Sequence, residues 1–279
     1  MPIRICSVFI MLCVFVVYNG NSQTSLMSFN IRYDNKNDME NSWDNRKAEL
    51  AVMIASYHPD ILGIQEGLYH QVEYLSKILP EYNWIGAGRD DGSISGEFSA
   101  IFYKTEKWEN LSKQTFWLSE TPDSVSKGWD AALNRIATAG LFINKKTKDT
   151  LFVINSHFDH IGKVARQKSA ELILHKIKKM GWGHFKGVVM GDFNSQPFEE
   201  PILIFSKSLD DAVTTSKSPF LGSAATFNEF NTKKLPEMRI DYIFTQRLSV
   251  LSCRHIDDRR KNNLFFSDHF PVFVILKSD

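Results

Sequence analysis

Cysteine is scarce. The 279-residue chain holds three, Cys6, Cys13 and Cys253. The first two lie in an N-terminal apolar stretch, so a chain cleaved behind that stretch keeps Cys253 alone and can form no internal disulfide. Stability must then come from a packed core. An excess of charge of either sign is also missing: 33 Lys and Arg face 32 Asp and Glu, a formal net charge of +1. That excludes a strongly basic nucleic-acid footprint and leaves only a local patch open. Tandem repeats, low-complexity tracts and Gly/Ser linkers are absent, and one domain is expected. Beyond residue 22 no apolar run approaches the ~20 residues that a membrane span requires.

The first 22 residues read differently. Arg4 is their only charge, Ile5 to Tyr18 is nearly all apolar, and Asn19-Gly20-Asn21-Ser22 follows. A basic start, a short apolar core and small residues at the end make a signal peptide, with cleavage expected near Ser22-Gln23. Residues 23–279 would then be the mature domain, secreted or periplasmic in a bacterium. Export without disulfides suits that setting better than a disulfide-stapled eukaryotic one. Losing Arg4 takes the net charge from +1 to 0. A monomer is expected.

The remaining chain alternates strands, helices and hairpins. Leu26 to Arg32, Asp60 to Glu66, Tyr82 to Ile85, Ser99 to Tyr103, Arg135 to Ile143, Leu151 to His157, Val188 to Asp192, Arg239 to Phe244 and Phe270 to Leu276 read as strands. Leu50, Met53, Ile54 and Tyr57 mark one helix, and Val72, Leu75, Ile78 and Leu79 a second. Val164, Ala170, Ile173, Ile177 and Met180 form the apolar stripe of a third, longer one. The pattern implies an α/β layered protein, sheets inside and helices outside. Lys107 to Lys127 gives no clear element.

Val188-Val189-Met190-Gly191-Asp192-Phe193-Asn194-Ser195-Gln196-Pro197 is the most informative stretch. An apolar strand stops abruptly and presents Asp192 and Asn194 on one side of the chain. By itself the stretch reads equally well as a turn. Yet Asn30, Glu66, His157, Asp241, Asp268 and His269 also stand at or beside strand boundaries, where sheet proteins build their sites.

Ser28-Phe29-Asn30-Ile31-Arg32, Gln65-Glu66, Asn155-Ser156-His157, Gly191-Asp192-Phe193-Asn194, Arg239-Ile240-Asp241-Tyr242 and Ser267-Asp268-His269 occur in this order. The series resembles the endonuclease/exonuclease/phosphatase family over the whole expected mature chain. Trp43-Asp44-Asn45-Arg46, Gly96 to Tyr103, Phe116 to Pro122 and His157-Phe158-Asp159-His160 are similar to a secreted bacterial branch of it. The resemblance implies a four-layered α/β sandwich, two mixed β-sheets packed face to face with helices outside. It implies a phosphoester hydrolase and leaves the substrate open, since this fold serves many phosphoesters.

Hydrolysing such an ester requires charge neutralisation, an activated water and a stabilised leaving oxygen. Glu66 is the best metal ligand, with Asn30 offering a neutral oxygen and Asp268 completing the shell; oxygen donors with few charges suit Mg²⁺, with Mn²⁺ as a substitute. His269 has no Cys or His at zinc-like spacing; the resemblance implies instead that it contacts the scissile phosphate, paired with Asp241. Asp192 would deprotonate the attacking water, and Asn194 and His157 would donate to non-bridging oxygens. Tyr103 is a weaker candidate for a phosphate contact. Arg89, Glu97, Arg135, Trp117 and Trp129 are candidate substrate contacts, and Asp159 and His160 would line the rim or cap the next helix. The sequence therefore supports an exported, Mg²⁺-dependent phosphoesterase, most simply a phosphodiesterase. A nuclease, a lipid or sugar phosphatase and a non-catalytic binding protein of the same fold are the alternatives.

Overall fold

Successive residues of β1 (Gln23–Asn30) point to opposite faces, and this alternation decides what surrounds them. Met27 and Phe29 join an apolar cluster with helix residues, whereas Leu26 joins a cluster shared with a second sheet. The computed structural model describes residues 23–277; the expected signal peptide, Cys6 and Cys13 lie outside the described residues. After β1 come α1 (Trp43–Tyr57), β2 (Ile61–Gln65), α2 (Tyr69–Ile78), β3 (Tyr82–Ile85), β4 (Ile101–Lys104), β5 (Trp108–Trp117), β6 (Ile136–Asn144) and β7 (Thr150–His157). Then follow α3 (Lys163–Lys179), β8 (Lys186–Asp192), α4 (Glu200–Ser206), β9 (Asp210–Asp211), α5 (Ala212–Thr215), β10 (Asp241–Gln246), β11 (Ser249–His255) and β12 (Val272–Lys277).

The strands form two six-stranded sheets, ordered β11-β12-β1-β2-β4-β3 and β5-β6-β7-β8-β10-β9. Each is mixed: β1 with β2 and β7 with β8 run parallel, and the other pairs are antiparallel. Leu26, Ile61 and Ile101 of the first sheet meet Val153, Val188, Met190 and Ile243 of the second in the core between them. Outside the first sheet, Leu50, Met53 and Ile54 of α1 and Val72 and Leu75 of α2 cover Met27, Phe29, Leu62 and Ile64. Outside the second, Ala170, Ile173 and Ile177 of α3 and Ile202 and Phe205 of α4 cover Phe152, Ile154, Val189 and Phe244. This is the four-layered sandwich with two mixed sheets. Among the described residues no helix is long and apolar enough to cross a membrane.

Three local expectations need correction. The stretch from Lys107, which gave no element, contains the ten-residue β5, whose middle residues are largely exposed at the sheet edge and so lack an apolar pattern. Val164 is 49% exposed in the first turn of α3, and the buried stripe starts at Ala165. Residues 249–255 form β11, another edge strand, which sequence reading did not single out.

Candidate active site

The site is the polar continuation of the two inner sheet faces. Every second residue of β1, β2, β7, β8 and β10 faces the opposite sheet, and in each strand that series ends polar. Leu26 leads through Ser28 to Asn30, Ile61 through Gly63 to Gln65, Val153 through Asn155 to His157, and Val188 through Met190 to Asp192. In β10 the series runs from Ile243 back to Asp241. Parallel pairing brings the C-terminal ends of β1 and β2, and of β7 and β8, to one edge; antiparallel β10 brings its N-terminal end there. His157, Asp192 and Asp241 consequently stand in one row across three strands.

The sheets come close just behind this row. Asn155 Nδ2 donates to the Ile64 and Ala100 carbonyls at 2.8 and 2.9 Å, and its Oδ1 accepts from Gln65 Nε2 at 2.6 Å. A Cβ at Gly63 would lie 2.5 Å from the Met190 side chain, so glycine there permits the approach. At Gly191, φ is +149° and a Cβ would lie 1.9 Å from the Ser156 carbonyl oxygen. Past the strand ends, Arg32, Glu66 and Asn194 take left-handed backbone angles, φ 57°, 62° and 46°. Three non-glycine residues in that region, each one or two positions beyond a strand, are strain concentrated at a site.

Asp192 is the hub. It is 1% exposed. Its Oδ1 accepts from Asn194 N at 2.9 Å; its Oδ2 accepts from Asn30 Nδ2 at 3.0 Å and lies 3.5 Å from His157 Nε2 and 3.7 Å from His269 Nε2. Burial, with the charge of Asp241, pushes its carboxyl up to about 7, His269 opposing. His269 Nδ1 bonds Asp241 Oδ2 at 2.8 Å. Burial disfavours charge on that ring, but the charges of Asp241 and Asp192 and the Asp241 hydrogen bond lift it well above the usual histidine range. His157 goes the other way: burial and the charges of Arg135 and Arg89 keep it neutral.

The opposite wall is acidic. Glu66 Oε1 accepts from Asn30 Nδ2 at 3.0 Å and Oε2 from Tyr33 N at 3.1 Å. Arg32 Nη1 reaches Glu66 at 3.9 Å and Asp268 at 3.6 Å. Burial raises the Asp268 carboxyl, and Glu66 adds to this against His269. A third wall comes from the segment before β4 and the start of β6. Arg89 Nη1 donates to Glu97 Oε2 at 2.6 Å, which lies 4.0 Å from Arg135 Nη1 and 3.8 Å from His157 Nδ1. Burial and the charge of Glu66 push Glu97 up to about 7, against Arg89 and Arg135. All three walls line one cavity of about 700 Å³.

Most of the residues expected from sequence meet here, though several do so in other roles. Asn30 turns its amide nitrogen to Glu66 and Asp192, and its Oδ1 accepts from Arg32 N at 3.0 Å, so it bridges two carboxylates rather than offering them an oxygen neighbour. Asn194 directs Nδ2 at His157 Nε2 (3.1 Å) and the Phe158 carbonyl (3.0 Å); it fixes that ring and leaves His157 Nδ1 facing Glu97. Tyr103 is outside the site. β4 runs antiparallel to β2, placing Tyr103 beside Ile61 at the far edge, where it packs on Phe142 with ring centres 5.0 Å apart. Asp159 does not line the cavity either. It accepts from the backbone N–H groups of Ala132, Leu133, Ile161 and Gly162 and from Arg135 Nε, which makes it a brace. Trp117 donates Nε1 to the Arg89 carbonyl at 2.7 Å and so supports Arg89 from behind. Trp129 does not line the cavity. Sequence reading missed Arg32 and the apolar rim of Phe227, Met238 and Ile240. Arg32 and Ile240 stood inside quoted motifs; Phe227 and Met238 carry no signal of their own.

The donor set fits a divalent cation. Ligand atoms of Glu66, Asp192 and His157 lie within 4.8 Å of one another, and Asp192 and Asp268 are both carboxylates that burial leaves short of positive charge. Oxygen-rich surroundings of this kind match Mg²⁺ or Mn²⁺. In a second group, Asp192, Asp241 and His269, Asp241 Oδ2 is engaged by His269 Nδ1, while its Oδ1 is buried without a hydrogen-bond partner.

Comparison with known proteins agrees with this fold. The sequence profile of the endonuclease/exonuclease/phosphatase family matches residues 27–269. A crystal structure of a protein of that family from Bacteroides thetaiotaomicron is 38% identical, with a TM-score of 0.88 over 92% of this chain and 98% of the other. A mannosyl-6-phosphatase from Bacteroides thetaiotaomicron VPI-5482 is also 38% identical, with a TM-score of 0.87 over 91% and 100%. An uncharacterized protein of Acanthamoeba polyphaga mimivirus is 27% identical over 252 residues, 84% of this chain and 92% of its own.

Proposed function

The chain belongs to the endonuclease/exonuclease/phosphatase family, and from that premise we propose that it is an exported, divalent-metal-dependent phosphomonoesterase acting on a small phosphorylated sugar. One observation carries this reading: the centre of Glu66, Asp192 and His269 shares one cavity with the charged wall of Arg89, Glu97 and Arg135, whose two arginines are buried. Such a wall suits a polar leaving group. The likeness to a mannosyl-6-phosphatase over nearly the full chain supports it, as does a net charge near zero, which offers little to a polyanionic nucleic acid. It also shifts the preference from a diester to a monoester.

Glu66, with Asp268 beside it, would hold the ion, which when bound supplies Lewis-acid polarisation and charge neutralisation at the phosphate. His269, kept cationic by Asp241, pairs with a phosphate oxygen as charge builds there. Asp192 takes a proton from the attacking water as its oxygen bonds to phosphorus. The ester P–O bond opposite breaks, and the departing alkoxide takes a proton from the solvent-open side, giving sugar and inorganic phosphate.

A substrate panel with Mg²⁺, Mn²⁺ and EDTA arms tests the reading. Hexose 6-phosphates should be hydrolysed faster than bis(p-nitrophenyl) phosphate, oligonucleotides or sphingomyelin, with EDTA abolishing turnover. A diester as the best substrate would overturn it. Export is tested by locating the processed chain, beginning near Gln23, in the periplasmic or culture fraction.

A further inference from the structure

We propose that Arg89, Glu97 and Arg135 form a hydroxyl-reading subsite that sets the specificity of the enzyme for the sugar next to the phosphate; the inference rests on the sugar-phosphate reading above. Position is the first argument. Glu97 Oε2 lies 3.8 Å from His157 Nδ1, and His157 Nε2 lies 3.5 Å from Asp192. The cluster therefore stands one side chain away from the phosphate centre, where the leaving group must lie.

Unused hydrogen-bonding capacity is the second. Arg89 Nε, Arg135 Nη1 and His157 Nδ1 are buried with no hydrogen-bond partner. Glu97 Oε2 accepts from Arg89, while Oε1 accepts no hydrogen bond among the described residues. A buried polar group left unpaired costs about 1–3 kcal/mol, and this cluster carries several. Arg89, Glu97, Arg135 and His157 also line the cavity of about 700 Å³, so a ligand seated there meets the charged face of the cluster.

Chemistry selects the ligand. A carboxylate only accepts hydrogen bonds and a guanidinium only donates them, whereas a hydroxyl does both. Adjacent hydroxyls can each donate to Glu97 while accepting from Arg89 or Arg135. An apolar leaving group would leave every one of these groups unpaired. The cluster is also held rigid: Arg89 N donates to the Glu97 carbonyl at 3.2 Å, Trp117 braces the Arg89 carbonyl, and Asp159 holds Arg135 Nε at 3.4 Å. Preorganisation of this kind is what a specificity pocket requires.

The test compares kcat/KM for mannose 6-phosphate and for cyclohexylmethyl phosphate, a ring of the same size with no hydroxyls, using the Mg²⁺-loaded wild type and Glu97→Gln. Wild type should prefer the sugar phosphate by ~100-fold or more, and the variant by ~10-fold or less, because stranded polar groups reject a ligand lacking hydroxyls. Should Glu97→Gln fail to fold, Arg89→Lys should show the same collapse, since lysine lacks the guanidinium fork. An unchanged preference in the folded variant would overturn the subsite while sparing the function. Equal wild-type rates on the two monoesters would also overturn it. Wild-type cleavage of diesters alone would remove the sugar-phosphate reading, and the subsite with it.

Discussion

His269 and Asp241 form a closed pair at the inner edge of the second sheet, with Nδ1 2.8 Å from Oδ2 and both side chains almost wholly buried. Because Asp241 holds Nδ1, the ring can turn only Nε2 toward the cavity, where Asp192 lies 3.7 Å away. Asp241→Asn keeps the shape and removes the charge that lifts His269. It should lower kcat by ~10²–10³-fold, the scale of a misassigned acid–base group, with little change in KM. The alkaline limb of the pH–rate profile should move to lower pH, since a less supported imidazolium loses its proton sooner. Steady-state kinetics from pH 5 to 10 decide the matter; an unmoved limb means His269 does not act as a cation.

Metal binding should depend most on Glu66. It is the carboxylate shared between Asn30 and the Tyr33 N–H at the cavity wall, and its strained backbone, φ 62°, aims it there. Glu66→Gln should weaken Mg²⁺ binding by at least ~10-fold, because a hard cation prefers a charged oxygen. Asp192→Asn should retain most of the affinity while losing most turnover. Isothermal titration with Mg²⁺ and Mn²⁺ measures both; equal loss of affinity in the two variants would make Asp192 a principal ligand.

Asp159 stabilises the fold through the loop that carries Arg135. Its two oxygens accept from five N–H groups at 2.8–3.4 Å. Burial opposes ionisation, but the N–H groups of Gly162, Ala132 and Ile161 hold the carboxyl well below the usual range. Its stabilisation is therefore present above the unfolded pKa of about 4 and is lost as pH falls through the folded one. Asp159→Asn sets an NH₂ group against those donors. It should cost ~2–4 kcal/mol and lower Tm by roughly 5–15 °C, read by calorimetry at pH 7. An unchanged Tm would show that the loop is held elsewhere.

These residues also show where sequence reading succeeds. Asn30, His157, Asp192 and Asp241 were legible as polar residues at strand boundaries that also fall in the family motifs; their common inner face emerged only with the fold. Tyr103 was misread for a reason of direction: alternation says which face a residue takes, not which end of the sheet, and β4 runs opposite to β2. Arg89, Glu97 and Arg135 were legible as charged residues near strand starts. Their mutual geometry was not, since it depends on a loop folded around Trp117 and on Asp159. Asn30 and Asn194 stand beside Asp192 as expected, but their amides turn toward neighbours that the chain order does not reveal, because an amide's orientation is set by groups that become adjacent only on folding.

His255 should make the protein acid-sensitive at a point apart from the chemistry. It lies in β11, with Nδ1 2.7 Å from the Ser223 carbonyl, Nε2 buried without a partner, and Phe220 edge-on at 4.9 Å. The carbonyl can only accept, so Nδ1 donates and Nε2 carries its lone pair, buried and without a partner. Burial pushes the ring down to about 4, with the Ser223 hydrogen bond opposing. The unfolded chain, with a histidine near 6.5, then binds more protons than the folded one between those values. Stability is fully present above about 6.5 and falls as the pH drops toward 4, by roughly 3 kcal/mol in total. His255→Gln retains a donor for Ser223 and cannot be charged. Urea unfolding at pH 7.5, 6, 5 and 4 should show the wild type losing that increment relative to the variant, on top of the acid loss common to both. Parallel curves across this range would show that His255 protonates in place, with water reaching Nε2.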